Sequence, residues 1–285
     1  MPELPEVETM RRGVLPVVGS RIVAAERPPC ARKPILFQPG IAPFRRRVKG
    51  RMITAIDRLG KRVIIRLSDA QAIVIEPRMT GLVLLSDPPG PEHLRLRLTL
   101  DGNETNRLLF WDRRGLGTVR LLTAKELQCK VKDRLGPDAV GVTKDQLVAR
   151  LSPSRRQVKV ALLDQSAVAG IGNLYAAEIL FLAGVDPRTR CDKLSGPQWH
   201  RIETAIARVL TEAIEHEGST LSDGTYRNAL NNEGSYQNYH RVYDREGQPC
   251  RRCGQGQIRR IVQTQRSTFF CPVCQRKSGL HDSIG

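Results

Sequence analysis

Four cysteines near the C-terminus form two closely spaced pairs, and they limit the possible fold more than any other feature. In CRRCGQGQIRRIVQTQRSTFFCPVC, two residues separate the members of each pair and 17 residues separate the pairs. Each Cys-x-x-Cys bends the chain so that two thiolates converge, and a hairpin of this length brings both pairs to one tetrahedral ion. A redox dithiol would need only one pair. The pattern predicts one structural zinc ion, with Cys250, Cys253, Cys271 and Cys274 as its ligands.

The residues around these cysteines are strongly basic. Residues 241–285 contain nine Lys or Arg and three acids, which gives a net charge of +6. A module of this size buries little core and depends on its metal for stability. A solvated basic face would carry the same charge, but arginines on a metal-stabilised hairpin favour contacts with phosphates. We predict a zinc-finger β-hairpin over 241–285 that binds nucleic acid.

The chain as a whole is also basic. It holds 46 Lys or Arg against 29 Asp or Glu in 285 residues, a formal net charge of +17, which favours a polyanionic partner. A membrane is disfavoured because no apolar run approaches the roughly 18 to 20 residues of a spanning helix. The start is acidic where a signal peptide would be basic and then apolar. We expect a cytoplasmic monomer, associated with the nucleoid when bound to DNA, that has no organic cofactor.

Three further cysteines show no ligand spacing, and they are Cys30, Cys129 and Cys191. In a chain without an export signal, free thiols and metal ligands are favoured over disulfides. We therefore expect these three to be buried or spare thiols.

The hydrophobic pattern changes along the chain. Between about residues 20 and 125, segments such as RVIIRL and LRLRLTL alternate between apolar and polar residues and predict the short strands of a sandwich or barrel. MITAIDRL, GK and RVIIRL form a hairpin pattern with Lys61 at the bend. After the turn-like LGPDA, apolar residues recur every three or four positions, which is typical of helices. Residues 218–240 are rich in Gly, Asn and Ser and predict a long loop.

These patterns predict an α+β multidomain protein. Its domains are an N-terminal β-sandwich with an N-terminal helix (1–130), a helical domain with the 218–240 loop (131–240), and the zinc-finger hairpin (241–285).

The helical part contains a candidate anion site. Gly170 and Gly172 precede a helix whose first residue or cap is Asn173, and the unpaired amides of a helix start favour an anion. One helix upstream, SRRQVKVALLDQ supplies basic residues including Lys159. Two helices joined by a glycine-bearing turn with basic flanks resemble a DNA-backbone binder, although Gly-x-Gly before a helix more often reflects tight packing.

The opening MPELPEVETMRRG has two interpretations. A proline near the first turn of a helix, followed by acids, is ordinary at a helix start. Once Met1 is removed, however, Pro2 has a terminal secondary amine, and a terminal amine has a pKa of about 8 and is partly unprotonated near neutral pH. Such an amine can attack C1′ of a deoxyribose and form an iminium that drives elimination, with Glu3 as the proton donor to the sugar ring oxygen.

Four segments in the same order resemble the formamidopyrimidine-DNA glycosylase and endonuclease VIII family. They are MPELPEVET, the hairpin LGKR, GIGNLYAAEILF and QRSTFFCPVC, and the resemblance covers nearly the whole chain. PELPEVET, rather than the PEGPE of the endonuclease VIII branch, resembles the formamidopyrimidine branch.

The resemblance implies roles for individual residues. It implies that Pro2 is the nucleophile, Glu3 the general acid, and Glu6 a second acid at the same site. It also implies that residues 218–240 form a lid over the extruded base. The implied DNA contacts are Lys61, which also assists base removal, His93, Lys159, Asn173 and the zinc-finger residue Arg266.

The family fills the gap left by an extruded nucleotide with three side chains. The resemblance assigns this role to Met79, Arg114 and Leu116. Leu116 departs from the family pattern, which has phenylalanine, and a leucine can wedge between bases but offers no aromatic face for stacking. Without the resemblance, core packing is the simpler interpretation of Met79 and Leu116.

We predict a bifunctional DNA glycosylase and AP lyase of base excision repair, acting on damaged double-stranded DNA. It would excise 8-oxoguanine and formamidopyrimidines through a Schiff base, followed by β,δ-elimination. The alternatives are an endonuclease VIII-like glycosylase for oxidised pyrimidines and a non-catalytic zinc-finger DNA-binding protein.

Overall fold

The computed structural model describes residues 2–86, 88–102, 105–220 and 226–276. The chain divides into two compact units. The first unit comprises Met1–Arg134 and Ala213–Gln237, and the second comprises Leu135–Glu212 and Asn238–Gly285. The domain boundaries at residues 130 and 240 stay predictions. The predictions for Met1, for residues 221–225 of the loop and for the end of the basic module, including Lys277, fall outside the described residues.

The first unit contains the predicted β-sandwich. In its described part, the strands are β1 (Arg21–Glu26), β2 (Leu36–Gln38), β3 (Ile53–Leu59), β4 (Arg62–Leu67), β5 (Ala72–Glu76), β6 (Gly81–Leu84), β7 (Leu94–Asp101), β8 (Arg107–Asp112) and β9 (Thr118–Leu122). They form a four-stranded sheet, β1-β7-β8-β6, and a five-stranded sheet, β2-β9-β5-β4-β3. Apolar side chains of both sheets share one core, for example Ile22 and Leu98 with Ile65 and Ile75.

Three α-helices lie wholly within the described part of this unit, α1 (Leu4–Gly13), α2 (Ile41–Val48) and α3 (Ala124–Lys130). Helix α1 packs against β3, β4 and β6 and buries Val7 and Met10 in the shared core. This packing fixes the position of the N-terminal residues relative to the sandwich.

The start of α1 corrects the interpretation of Pro2 as a first-turn proline. The N-cap is Glu3, whose backbone is extended, and Leu4 is the first helical residue. The proline of the first turn is therefore Pro5, where the missing N–H costs nothing. Pro2 lies before the helix and takes no part in its hydrogen bonding.

The second unit is helical and ends in the predicted zinc-finger hairpin. Its described elements are α4 (Lys144–Leu151), α5 (Val158–Leu162), α6 (Asn173–Ala183), α7 (Gly196–Glu215, whose last residues belong to the first unit), β10 (Arg259–Gln263) and β11 (Arg266–Phe270). Strands β10 and β11 pair as an antiparallel hairpin. Phe181 of α6 and Phe269 of β11 belong to one small core that also contains Val242.

Among the helices in the described ranges, none is both long enough and apolar enough to cross a bilayer.

Candidate active site

Two buried glutamates, Glu3 and Glu6, follow Pro2 closely in the chain. Pro2 is itself buried, and Glu3 and Glu6 are 4% and 3% exposed. Glu6 Oε2 accepts a hydrogen bond from the Glu3 N–H at 2.8 Å. The sequence suggested these neighbours, and the helix start at Leu4 brings them together by placing Glu3 and Glu6 one turn apart.

Glu6 also holds the start of the predicted lid. Its second oxygen, Oε1, accepts a hydrogen bond from the Ser219 N–H at 2.9 Å. Gly218 has φ +77°, and a Cβ at this position would lie 2.7 Å from the same oxygen. Because only glycine tolerates both the positive φ and this close approach, Gly218 allows the chain to pass against α1.

Tyr226 anchors the chain beyond residues 221–225. Its side chain is buried in the core of the first unit, and its hydroxyl donates to the Glu217 carbonyl at 2.9 Å. Burial, reinforced by the nearby negative charge of Glu6, raises the pKa of Tyr226 well above its ordinary value. The phenol therefore stays protonated and keeps its donor role at neutral pH.

Lys61 lies at the bend of the β3–β4 hairpin, as the sequence predicted. Leu59 pairs with Arg62, and Gly60 and Lys61 form the two-residue turn, in which Gly60 has φ +56°. Arg58 Nη1 donates to the Gly60 carbonyl at 3.1 Å and so braces this turn.

Glu8, which was not predicted as a site residue, connects this hairpin to α1. Glu8 is 9% exposed and accepts hydrogen bonds from Arg58 Nε at 3.1 Å, Arg11 Nη2 at 2.8 Å and Arg12 Nε at 2.9 Å. Burial by itself would raise the pKa of Glu8, but the hydrogen bonds from Arg11 and Arg12 and the charges of Arg11 and Arg58 outweigh it and lower the pKa to about 2. The spacing of Arg11 and Arg12, three and four residues after Glu8, was the available signal.

The three residues assigned to gap filling lie in two turns of the sandwich. Met79, between β5 and β6, is half-buried. Arg114 and Leu116, between β8 and β9, are exposed, and the 38% exposure of Leu116 does not fit core packing.

His93 lies beside the same sheet, half-buried at the start of β7. Its ring meets the Trp111 ring edge to face at 5.5 Å, and its Nε2 is 3.5 Å from a Glu92 carboxylate oxygen. The ring is thus oriented by Trp111.

Lys159 is a buried residue that connects three elements of the second unit by hydrogen bonds. It is 1% exposed, and its Nζ donates to Asn173 Oδ1 at 2.6 Å, the Ser267 carbonyl at 3.0 Å and Thr268 Oγ1 at 2.7 Å. Asn173, the first residue of α6, also donates from Nδ2 to the Ser267 carbonyl at 3.0 Å. These bonds join α5, α6 and β11, a connection that sequence spacing alone did not predict.

Arg266 is exposed at the first position of β11. It pairs with Gln263 across a two-residue turn in which Thr264 and Gln265 both have positive φ, 45° and 62°. This tight turn presents Arg266 at the end of the hairpin.

The four cysteines of the C-terminal pairs form the predicted zinc site. Their sulfur atoms all lie within 4.8 Å of one another, with Cys250 to Cys274 at 3.7 Å and Cys253 to Cys271 at 3.8 Å. Four thiolates about 2.3 Å from a tetrahedral zinc ion lie about 3.8 Å apart, so the set fits the metal. With four sulfur ligands the zinc is structural.

The remaining cysteines are free thiols, as expected. Cys30 is half-buried, Cys129 exposed and Cys191 buried. Burial raises the pKa of Cys191 to about 11, which leaves it a protonated core residue.

Three segments of the chain match models of known protein domains. Residues 1–119 match the formamidopyrimidine-DNA glycosylase N-terminal domain, residues 135–225 the formamidopyrimidine-DNA glycosylase H2TH domain, and residues 247–276 a zinc finger found in FPG and IleRS.

Curated relatives match over nearly their full length. The formamidopyrimidine-DNA glycosylase of Chloroflexus aurantiacus is 39% identical, over 96% of this chain and 98% of the relative. That of Solibacter usitatus is 38% identical, over 97% of this chain and all of the relative (100%).

Solved structures of similar proteins superpose on nearly the whole chain. The MutM (Fpg) protein of Thermus thermophilus superposes with a TM-score of 0.84 at 35% identity, covering 97% of this chain and 99% of that chain. The Lactococcus lactis Fpg, in complex with DNA containing an abasic site, superposes with a TM-score of 0.84 at 31% identity, covering 96% of this chain and 100% of that chain.

Proposed function

This chain belongs to the formamidopyrimidine-DNA glycosylase family and is a DNA glycosylase of base excision repair, and we propose that the secondary amine of Pro2 is its nucleophile. The amine, freed by removal of Met1, attacks C1′ of the damaged nucleotide as the base departs. The resulting iminium is a cation at every pH until it is hydrolysed, so it withdraws electrons from the sugar. The 3′ phosphate and then the 5′ phosphate are eliminated, which is the AP lyase activity.

The observation that carries this proposal is the position of Pro2 outside α1, buried beside two carboxylates. A proline within the first turn would serve the helix, but Pro5 already fills that place. Glu3 is the proton donor to the sugar ring oxygen, and general acid catalysis of this kind contributes about 10² to 10⁴ in rate. Glu6, held by Glu3 and Ser219, fixes the position of the N-terminal segment.

The remaining site residues act on the DNA. Lys61 and Arg266 bind phosphates next to the extruded nucleotide, and His93 and Asn173 contact the DNA backbone. Lys159 is buried and donates three hydrogen bonds within the protein, so it positions Asn173 rather than touching the DNA. Met79, Arg114 and Leu116 fill the gap in the base stack. Exposure of Arg114, Leu116 and Arg266 supports these roles.

The substrates are oxidised purines, 8-oxoguanine and formamidopyrimidines, in double-stranded DNA. The N-terminal PELPEVET supports this choice over oxidised pyrimidines. We also propose that the enzyme works as a cytoplasmic monomer associated with the nucleoid.

Borohydride trapping on an abasic duplex tests the nucleophile. Protein whose mass shows loss of Met1 should form a covalent adduct, and peptide sequencing should find the DNA on Pro2. Pro2→Gly should form much less adduct, whereas Pro5→Ala, the matched control in the first turn, should trap normally. Equal trapping by Pro2→Gly and wild type would remove Pro2 from the mechanism.

Excision assays test the substrate class. Duplexes with 8-oxoguanine opposite cytosine should be cleaved faster than duplexes with thymine glycol. Cleavage of only the thymine glycol duplex would identify the pyrimidine-specific alternative. A wild-type protein that cleaves neither lesion duplex and forms no adduct with the abasic duplex would be a DNA-binding protein without catalysis.

A further inference from the structure

The two turns that carry the gap-filling residues meet at a buried hydrogen bond. Thr80 follows Met79 in the chain, and Asp112 precedes the turn that carries Arg114 and Leu116. Thr80 Oγ1 donates to Asp112 Oδ1 at 2.5 Å. Thr80 is 2% exposed and Asp112 is 0% exposed, so water does not compete for this bond.

Asp112 also determines the shape of its own turn. Its Oδ2 accepts the Gly117 N–H at 2.7 Å, and its Oδ1 lies 3.3 Å from the Arg114 nitrogen. The Arg114 N–H has a second, shorter acceptor, Thr80 Oγ1 at 2.9 Å. A carboxylate that accepts main-chain N–H groups a few residues further on is a common way to stabilise a turn.

The surroundings leave this turn little freedom. The Asp112 carbonyl accepts a hydrogen bond from Arg95 Nε at 2.9 Å, and Arg95 is 2% exposed. A Cβ at Gly117 would lie 2.6 Å from the Phe110 ring and 3.1 Å from Asp112 Oδ2. Gly115 has φ +64°, and a Cβ there would lie 2.6 Å from the Lys33 carbonyl.

We propose that Thr80 and Asp112 are positioning residues that hold Met79, Arg114 and Leu116 in a single arrangement before DNA binds. The proposal rests on the gap-filling role assigned above. The Thr80 hydroxyl and the Asp112 carboxylate bond to each other and both contact the Arg114 N–H, so the two turns are held together. Met79, Arg114 and Leu116 therefore enter the duplex as one unit. Loss of the hydroxyl leaves Asp112 Oδ1 and the Arg114 N–H each without one partner, and both turns gain freedom that must be lost again on binding.

The variant Thr80→Val tests this, because it removes the hydroxyl and keeps the shape. Thr80→Ser restores the hydroxyl, and Thr99→Val, at a half-buried threonine of β7, is the matched control. Amide hydrogen exchange read by mass spectrometry should show faster exchange at Arg114 and Gly117 in Thr80→Val, with wild-type rates in the other two variants. This measurement requires no DNA and no activity.

The second measurement compares two substrates. Thr80→Val should lower single-turnover excision from an 8-oxoguanine duplex about tenfold, since one buried hydrogen bond is lost. Trapping on a single-stranded abasic oligonucleotide, which has no base stack to fill, should stay within about twofold of wild type.

The two proposals fail differently. A wild type that neither cleaves nor traps refutes the proposed function, while exchange at Arg114 and Gly117 still decides whether Thr80 positions the turn. Unchanged exchange in Thr80→Val, or an equal loss on both substrates in folded protein, would overturn the positioning role. Asp112→Asn places either an amide N–H₂ or a weaker acceptor oxygen against the Gly117 N–H. It should speed exchange at Arg114 and Gly117 and slow excision from the duplex more than Thr80→Val does. Wild-type exchange and excision in Asp112→Asn would count against the proposal.

Discussion

Replacing Glu8 by glutamine should destabilise the first unit by about 3 kcal/mol at pH 7. Glutamine keeps the shape of the side chain but removes the charge that faces Arg11, Arg12 and Arg58. The pKa of Glu8 is about 2, whereas its ordinary value is 4.5. Since one pKa unit corresponds to about 1.4 kcal/mol, the ionised carboxylate stabilises the folded state by about 3 kcal/mol. A domain is typically stable by about 5–15 kcal/mol, so the loss is large.

The pH dependence has a defined sign. Because the folded pKa lies below the ordinary value, the stabilisation is complete above pH 4.5 and is lost as the pH falls towards 2. The difference between wild type and Glu8→Gln should therefore shrink to about 1.4 kcal/mol at pH 3. Other carboxylates titrate equally in both proteins and cancel in this difference.

Urea unfolding followed by tryptophan fluorescence provides the measurement. The chain has two tryptophans, Trp111 in the first unit and Trp199 in the second, so a Trp199→Phe background reports on the first unit alone. Glu215→Gln is the matched control, because Glu215 is an exposed glutamate of the same unit, and it should change stability by less than about 0.5 kcal/mol.

Two results would refute this reasoning. One is a decrease in the free energy of unfolding of less than about 1 kcal/mol at pH 7 in Glu8→Gln. The ion pairs of Glu8 would then contribute no more than exposed ion pairs do. The other is a difference that stays constant between pH 7 and pH 3, which would mean that Glu8 acts through packing rather than through its charge.

Three further predictions concern other parts of the molecule. Replacing Thr264 and Gln265 by Asn-Gly should stabilise the zinc-loaded protein by about 1 kcal/mol in thermal unfolding, because both positions have positive φ; an unchanged or lower Tm would contradict this. Tyr226→Phe removes the hydrogen bond that a buried phenol donates to the Glu217 carbonyl and should cost about 1 kcal/mol in the urea assay, whereas no cost would show that the hydroxyl is dispensable. Cys253→Ser should lose most of the bound zinc by metal analysis and weaken DNA binding, while Cys129→Ser, at an exposed thiol, should keep both; full zinc in Cys253→Ser would exclude it as a ligand.

Local patterns were enough to predict the hairpins that carry candidate site residues, but not α2 (Ile41–Val48), which lies in a region where only strands were expected. The alternation around Lys61 predicted the β3–β4 hairpin, and the spacing of the cysteine pairs predicted their convergence. In both cases the interacting residues are close in sequence or belong to one hairpin, so spacing fixes geometry.

Contacts between distant segments were not predictable in this way. Glu8 with Arg58, and Thr80 with Asp112, meet only because particular strands and helices pack together. The buried position of Lys159 depends likewise on β11, far along the chain. The sequence signal for the helix start was real but belonged to Pro5, since two prolines lie close together and only the capping geometry distinguishes them.

The composition of the first unit has a consequence for biosynthesis. Tyr226 and Ala229 belong to the same core as Val7, Met10 and the sheets, yet they are translated after almost all of the helices of the second unit. Domains usually fold in the order in which they leave the ribosome. Here the first unit stays incomplete on the nascent chain until these late residues emerge, so the N-terminal helix and the proposed nucleophile Pro2 just before it receive their full surroundings only near the end of synthesis.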